Sequence, residues 1–279
     1  MIRKYGAAPF EAAVIHGGPG ACGSVASVAC ELSVTFGVIE PIQTKHTIPE
    51  LVAELYEQIS SVSKKPVTLI GHSWGAWLII LFAKEYPEMV THLVLVGSGP
   101  FKEKYLDTIM KRRLSNLTKE EGELFVKTLQ QLNDNATPDK DSALGTLGRL
   151  AEKADNYDVV EAQDDINNDI EADGEMYASI WPQAAEMRNK GELYCTLKEI
   201  KCPVTVIQGE YDSHPVEGVI EPLQEQGVAF NVHILPKCGH SPFKEKLAKE
   251  SFYEILRNII NSHYLEDKHE SAENEKTVH

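Results

Sequence analysis

Three residues far apart in the chain, Ser73, Asp212 and His240, have the types that together perform acyl transfer. A hydroxyl attacks a carbonyl, an imidazole takes its proton, and a carboxylate orients the imidazole. Ser73 lies in Gly71-His72-Ser73-Trp74-Gly75, a G-x-S-x-G pattern between an apolar run and a long apolar segment. That pattern places a serine on a sharp strand-to-helix turn, with glycines where side chains would collide with the neighbouring strand and helix. An attacking serine also needs donors for the oxyanion it creates. The backbone N–H groups of Trp74 and of Gly18, in His16-Gly17-Gly18-Pro19-Gly20, are the candidates, and one such donor is worth on the order of 3 kcal/mol in the transition state. The chain order serine, acid, histidine is the one this chemistry uses on a parallel α/β sheet. His214 is a rival base two residues from Asp212, but it would crowd the acid it needs, whereas His240 stands in a Gly-His loop after the last apolar run. His16 and His72 read as structural hydrogen-bonders, and Cys238 as a packed thiol without the spacing of a metal site.

These residues need a scaffold that brings strand ends together. Short apolar or β-branched runs at 12–16, 34–39, 66–70, 92–96, 203–208 and 230–235 predict strands. Helical patterns fall between most of them, at 24–32, 49–62, 74–86, 216–226 and 244–261. Strand alternating with helix predicts a mostly parallel sheet flanked by helices on both faces. On it, Ser73, Asp212 and His240 each follow a strand at its carboxyl end. From 101 to 197 the strand signal disappears and helices take over, with Thr118 and Glu121 forming a capping box. The chain therefore divides into a core of 1–100 and 198–263 and a helical insertion of 101–197. The polar stretch 264–279 is expected to lack regular structure.

Composition narrows the function classes. With 27 Lys+Arg against 42 Asp+Glu the formal charge is −15. Such a surface repels phosphate backbones and anionic lipid, so neither nucleic acid nor a membrane surface is an expected partner. Five cysteines without close C-x-x-C spacing suit a reducing compartment. No apolar run approaches bilayer length and the first residues open no signal-like segment, so a cytoplasmic location is expected.

The glycine-rich loop admits a rival. Gly18-Pro19-Gly20-Ala21-Cys22-Gly23 satisfies G-x-G-x-x-G, and Glu40 stands about where a ribose-binding acid would stand in a dinucleotide fold. A dinucleotide-dependent oxidoreductase would enhance NADH fluorescence on mixing, but it leaves Ser73, Asp212 and His240 without a role. A nucleoside triphosphate loop is excluded more firmly, since no Lys-Ser or Lys-Thr follows Gly23.

Taken together, His16 to Gly20, Gly71 to Gly75, Gly209 to Asp212 and Gly239-His240 resemble, in order, the motifs of the α/β-hydrolase superfamily, serine hydrolase branch, nearest to its proline iminopeptidase-like members. The resemblance implies an α/β-hydrolase fold in which 101–197 is a cap over the active site. It also implies hydrolysis of a small ester or N-terminal aminoacyl amide by Ser73, His240 and Asp212, with Gly18 and Trp74 as the oxyanion hole and no metal or organic cofactor. The substrate is then a small molecule or short peptide. The chain departs from those relatives in three places. Two strands usually precede the oxyanion-loop strand, which implies a sheet shortened at its N-terminal edge here. His72 replaces a small residue, and Glu40-Pro41-Ile42-Gln43-Thr44 replaces the usual Asp-x-x-Gly-x-Gly-x-Ser. A cofactor-free C–C hydrolase or perhydrolase would use the same triad, and a catalytically silent binding protein on this fold would not be labelled at Ser73 by a fluorophosphonate.

Substrate contacts are open. Asp164, Asp165, Asp169, Glu171 and Asp173 are dense enough to hold a free α-ammonium group or to be a solvated acidic surface. Met176, Tyr177, Ile180 and Trp181, at helical spacing, suit an apolar acyl pocket or the insertion's own core.

Overall fold

A computed structural model describes residues 1–160 and 172–276, with side chains to 262. The first half alternates as expected, in the order β1 (Ile2–Tyr5), β2 (Phe10–Ile15), α1 (Ala26–Leu32), β3 (Gly37–Pro41), α2 (Ile48–Val62), β4 (Val67–His72), α3 (Trp74–Glu85) and β5 (Val90–Val96). Helices α4 (Leu106–Ser115), α5 (Lys119–Asn133), α6 (Lys140–Asp155), α7 (Gly174–Asn189) and α8 (Glu192–Thr196) follow before the chain returns to the sheet. It ends with β6 (Val204–Gly209), α9 (Glu217–Glu225), β7 (Phe230–Leu235) and α10 (Lys249–Lys276).

The seven strands lie in the order β1-β3-β2-β4-β5-β6-β7, parallel except for β1, which pairs antiparallel with β3. Central strands are buried on both faces, which is why they read as near-continuous apolar runs. One face is covered by α2, α3 and α9 through Leu51, Leu55, Leu78, Phe82 and Leu223, and the other by α1 and α10 through Val28, Leu32, Phe252 and Leu256. A third apolar cluster, with Phe125, Leu132, Leu147 and Leu150, sits inside the insertion. Helix α7 joins two clusters: Met176, Ile180 and Ala184 pack into the sheet-side core, and Tyr177 into the insertion's own.

Two segments do not read as regular elements in the sequence. Strand β1 carries no apolar run, since Ile2-Arg3-Lys4-Tyr5 is an edge segment held by its ladder to β3. One strand therefore precedes β2 instead of two, the shortened N-terminal edge that the resemblance implies. The stretch from 264 is helical to Lys276, a continuation of α10. Its Glu, Lys and Ala are good helix formers, and a helix already nucleated by packing adds further residues at little cost.

Candidate active site

Ser73 stands on the turn between β4 and α3. Ser73 has φ 54° and ψ −114°, a positive-φ conformation rare for a side-chain-bearing residue and of the kind that clusters at functional sites. Its N–H donates to the Val96 carbonyl at 2.8 Å, fixing the turn to the end of β5. The flanking glycines are sterically required. A Cβ on Gly71 would lie 2.4 Å from the Gly75 carbonyl oxygen, and one on Gly75 would lie 2.5 Å from that of Ile15. Ser73 remains half-buried at the head of α3, whose other residues from Trp74 to Ala83 are buried.

Asp212 and His240 come together as expected. His240 Nδ1 donates to Asp212 Oδ2 at 2.9 Å. His240 also lies against the end of β5, its Nδ1 3.0 Å from where a Cβ on Gly97 would stand, so it shares that strand end with Ser73. Burial alone would raise the Asp212 carboxyl, but the charges and hydrogen bonds of His240 and His214 outweigh it and hold the group well below the usual carboxylate range. For His240, burial favours the neutral ring, and the Asp212 carboxylate prevails and raises it above an ordinary histidine.

His214 is not a free rival base. Its backbone N–H and its Nδ1 both reach Asp212 Oδ1, each at 2.8 Å, and its ring stacks on His240 with centroids 4.5 Å apart. Gln208 Nε2 donates to Asp212 Oδ2 at 2.7 Å, so four hydrogen bonds hold the carboxylate. Asp212, His214 and His240 also form a cluster whose possible metal-ligating atoms lie within 4.8 Å of one another. Both Nδ1 atoms, however, are already spent on Asp212.

Next to Gly17, where a Cβ would stand 3.1 Å from that of Ser73, Gly18 has φ 45°, and among the described residues neither its N–H nor that of Trp74 has a hydrogen-bond partner. Two donors left open beside a nucleophile are what an oxyanion requires. His16 is buried between the Gly17 carbonyl, 2.9 Å from Nδ1, and Cys22 Sγ, 3.3 Å from Nε2. His72 Nε2 donates to the His240 carbonyl at 3.1 Å, and burial lowers its pKa to about 3. Both histidines thus serve as structural hydrogen-bonders, and Cys238 is a buried thiol whose Sγ points at the Gly239 carbonyl.

The loop does not suit a dinucleotide. Glu40 is fully buried, with the Tyr5 hydroxyl donating to it at 2.9 Å and Arg3 3.5 Å away. Gly20, at φ 84°, lies directly beneath the head of α7, where the Asp173 N–H donates to its carbonyl at 2.9 Å. Of the acidic stretch only Asp173 falls among the described residues, and its carboxylate caps α7 by accepting from Met176 N at 2.8 Å. Asp164, Asp165, Asp169 and Glu171 lie outside them.

Sequence reasoning missed the residues behind the acid and base. Arg113 of α4 forms a bidentate pair with the buried Asp155 of α6, with contacts of 2.6 to 3.0 Å, and its NH2 group lies 3.3 Å from His214 Nε2. The Asp155 carbonyl accepts from His240 N at 2.9 Å, and Glu245 accepts from the N–H groups of Tyr157, Asp158 and Gly239, each at 2.7 Å. No local motif marks them, because each partner comes from a different helix or loop.

The fold, the elbow and the acid–histidine pair define an α/β hydrolase. Consistent with this, residues 17–249 match the alpha/beta hydrolase family, and the chain belongs to it. It is 24% identical over 273 residues to a proline iminopeptidase of Heyndrickxia coagulans, covering 89% of this chain and 90% of that protein. A shorter stretch of 90 residues is 31% identical to ethanol acetyltransferase 1 of Cyberlindnera jadinii, covering 31% of this chain and only 27% of that relative's length. The esterase EaEST of Exiguobacterium antarcticum shares the fold, with a TM-score of 0.63 at 17% identity over 93% of this chain and 94% of its own. Among the described residues no helix is long and apolar enough to cross a membrane.

Proposed function

We propose that this chain is a serine hydrolase acting on a small ester or an N-terminal aminoacyl amide through an acyl-enzyme. The observation that carries the reading is the His240–Asp212 hydrogen bond at 2.9 Å, beside a serine on a left-handed turn. Among the described residues Ser73 Oγ has no protein hydrogen-bond partner, and such catalytic contacts commonly tighten only when substrate is bound. As Ser73 Oγ bonds to the carbonyl carbon, its proton passes to His240 Nε2, and Asp212 stays ionised and holds the Nδ1–H. The carbonyl oxygen, now negative, accepts from the N–H groups of Gly18 and Trp74. His240 returns the proton to the leaving alcohol or amine, and water then repeats the sequence on the acyl-enzyme. Residues 101–197 act as the cap, and no metal or organic cofactor takes part. We place the protein in the cytoplasm, acting on small molecules or short peptides.

The test is kcat/KM for an L-prolyl chromogenic amide and a short-chain p-nitrophenyl ester, with Ser73→Ala as the control. Turnover of either, lost in the variant, supports the reading, and the faster substrate sets its class. Turnover unchanged in Ser73→Ala, or absent in the parent, removes it. The stretch shared with an ethanol acetyltransferase favours a second reading, in which an alcohol replaces water as acyl acceptor. Ethanol added to the ester assay would then yield the ethyl ester.

A further inference from the structure

The acid and base of the site are held from behind by the helical insertion. Arg113 NH2 approaches His214 Nε2 at 3.3 Å, and His214 Nδ1 approaches Asp212 Oδ1 at 2.8 Å. An arginine only donates, so His214 Nε2 is the acceptor and the proton sits on Nδ1, aimed at the carboxylate. The tautomer of His214 is therefore set by a residue of α4. Arg113 is itself fixed by Asp155, whose backbone carbonyl anchors His240 N at 2.9 Å. A second contact runs from Arg112 NH1 to the Asp212 carbonyl at 3.0 Å. One ion pair on α4 and α6, with its aspartate buried and its arginine half-buried, thus reaches the acid through a histidine and the base through a main-chain bond.

We propose that Arg113, Asp155 and His214 are positioning residues for the Asp212–His240 pair, so that docking of the insertion and alignment of the triad are one event. The inference rests on the serine hydrolase reading. The groups facing His214 and His240 are Asp212 from the loop after β6, His72 from β4, Arg113 from α4 and Asp155 from α6. Of these, Asp212 and, less strongly, Asp155 favour a protonated His240, and Arg113 opposes it. Removing the Arg113 charge, or the His214 donor that quiets the Asp212 carboxylate, makes His240 easier to protonate.

The experiment compares the parent, His214→Phe, Arg113→Gln and Arg113→Lys in the ester or amide assay across pH, with Ser73→Ala as reference. His214→Phe retains an aromatic ring of similar size against His240, so it reports even where Arg113→Gln, which strands Asp155, fails to fold. Expected for His214→Phe and Arg113→Gln are a kcat lowered by up to about 10²-fold at unchanged KM and an acidic limb of kcat/KM displaced upward by about half to one pH unit. Arg113→Lys, which keeps the charge, returns the limb toward the parent. A His214→Phe enzyme with parental kcat and an unmoved limb, or one altered only in KM or melting temperature, overturns the inference while leaving the hydrolase reading intact. Absence of Ser73-dependent turnover in the parent overturns both.

Discussion

At the scale of single residues the proposed reaction depends on a carboxylate that must stay ionised and a ring that must be neutral when Ser73 attacks. Because Asp212 raises His240 above an ordinary histidine, kcat/KM is expected to fall as pH drops through a pKa higher than the usual 6.5. A pH profile of the parent checks the sign: a limb below that value contradicts the observed pairing. Asp212→Asn keeps the size of the side chain but removes the charge and offers a donor where His240 Nδ1–H needs an acceptor. It is expected to lower kcat by about 10⁴-fold, the cost found when the same change is made in a serine protease triad. A loss of tenfold or less would mean that Asp212 is not the orienting acid. Ser73, Asp212 and His240 were legible as candidates because each follows a strand within a short motif. Gln208, Arg113 and Asp155 were not, since their roles come from contacts between segments separated by 4, 42 and 100 or more residues that no spacing rule links.

At the scale of elements the critical joints are places where backbone meets backbone. Gly75 touches the Ile15 and His16 carbonyls, so Gly75→Ala must push α3 away from β2. A stability loss of about 3 kcal/mol or more is expected in chemical denaturation, and a variant of parental stability would contradict the packing. The Thr118–Glu121 capping box is distant from the site and satisfies two helix-end donors of α5. Thr118→Ala should cost about 1 kcal/mol and leave kcat/KM unchanged. This box, the six main strands and the long helices α2 and α3 could be read directly from residue types, because local periodicity and side-chain chemistry determine them. The edge strand β1 could not, because only its pairing with β3 makes Ile2-Arg3-Lys4-Tyr5 extended. The dual packing of α7 was equally hidden, as Met176 and Tyr177 are neighbours in sequence but belong to different cores.

At the scale of the whole molecule, Asp155 and Asp212 are both held below ordinary carboxylates in the folded chain. Their contribution to stability is complete above the unfolded value of about 4 and is lost as pH falls toward their folded values. Thermal melts are expected to drop steeply below about pH 4, and a variant lacking the ion pair of the buried Asp155, Arg113→Met/Asp155→Leu, should drop less. A melting curve flat across that range would contradict the burial of these charges. The joint between insertion and sheet has an optical consequence as well. All three tryptophans of the chain meet there: Trp74 and Trp77 stand on α3, and Trp181 on α7 stacks on Trp77 with ring centroids 6.0 Å apart and planes within 5°. With no indole elsewhere to dilute the signal, tryptophan emission reports on this joint, and any ligand that lifts α7 from α3 will announce itself as a change of colour without a label.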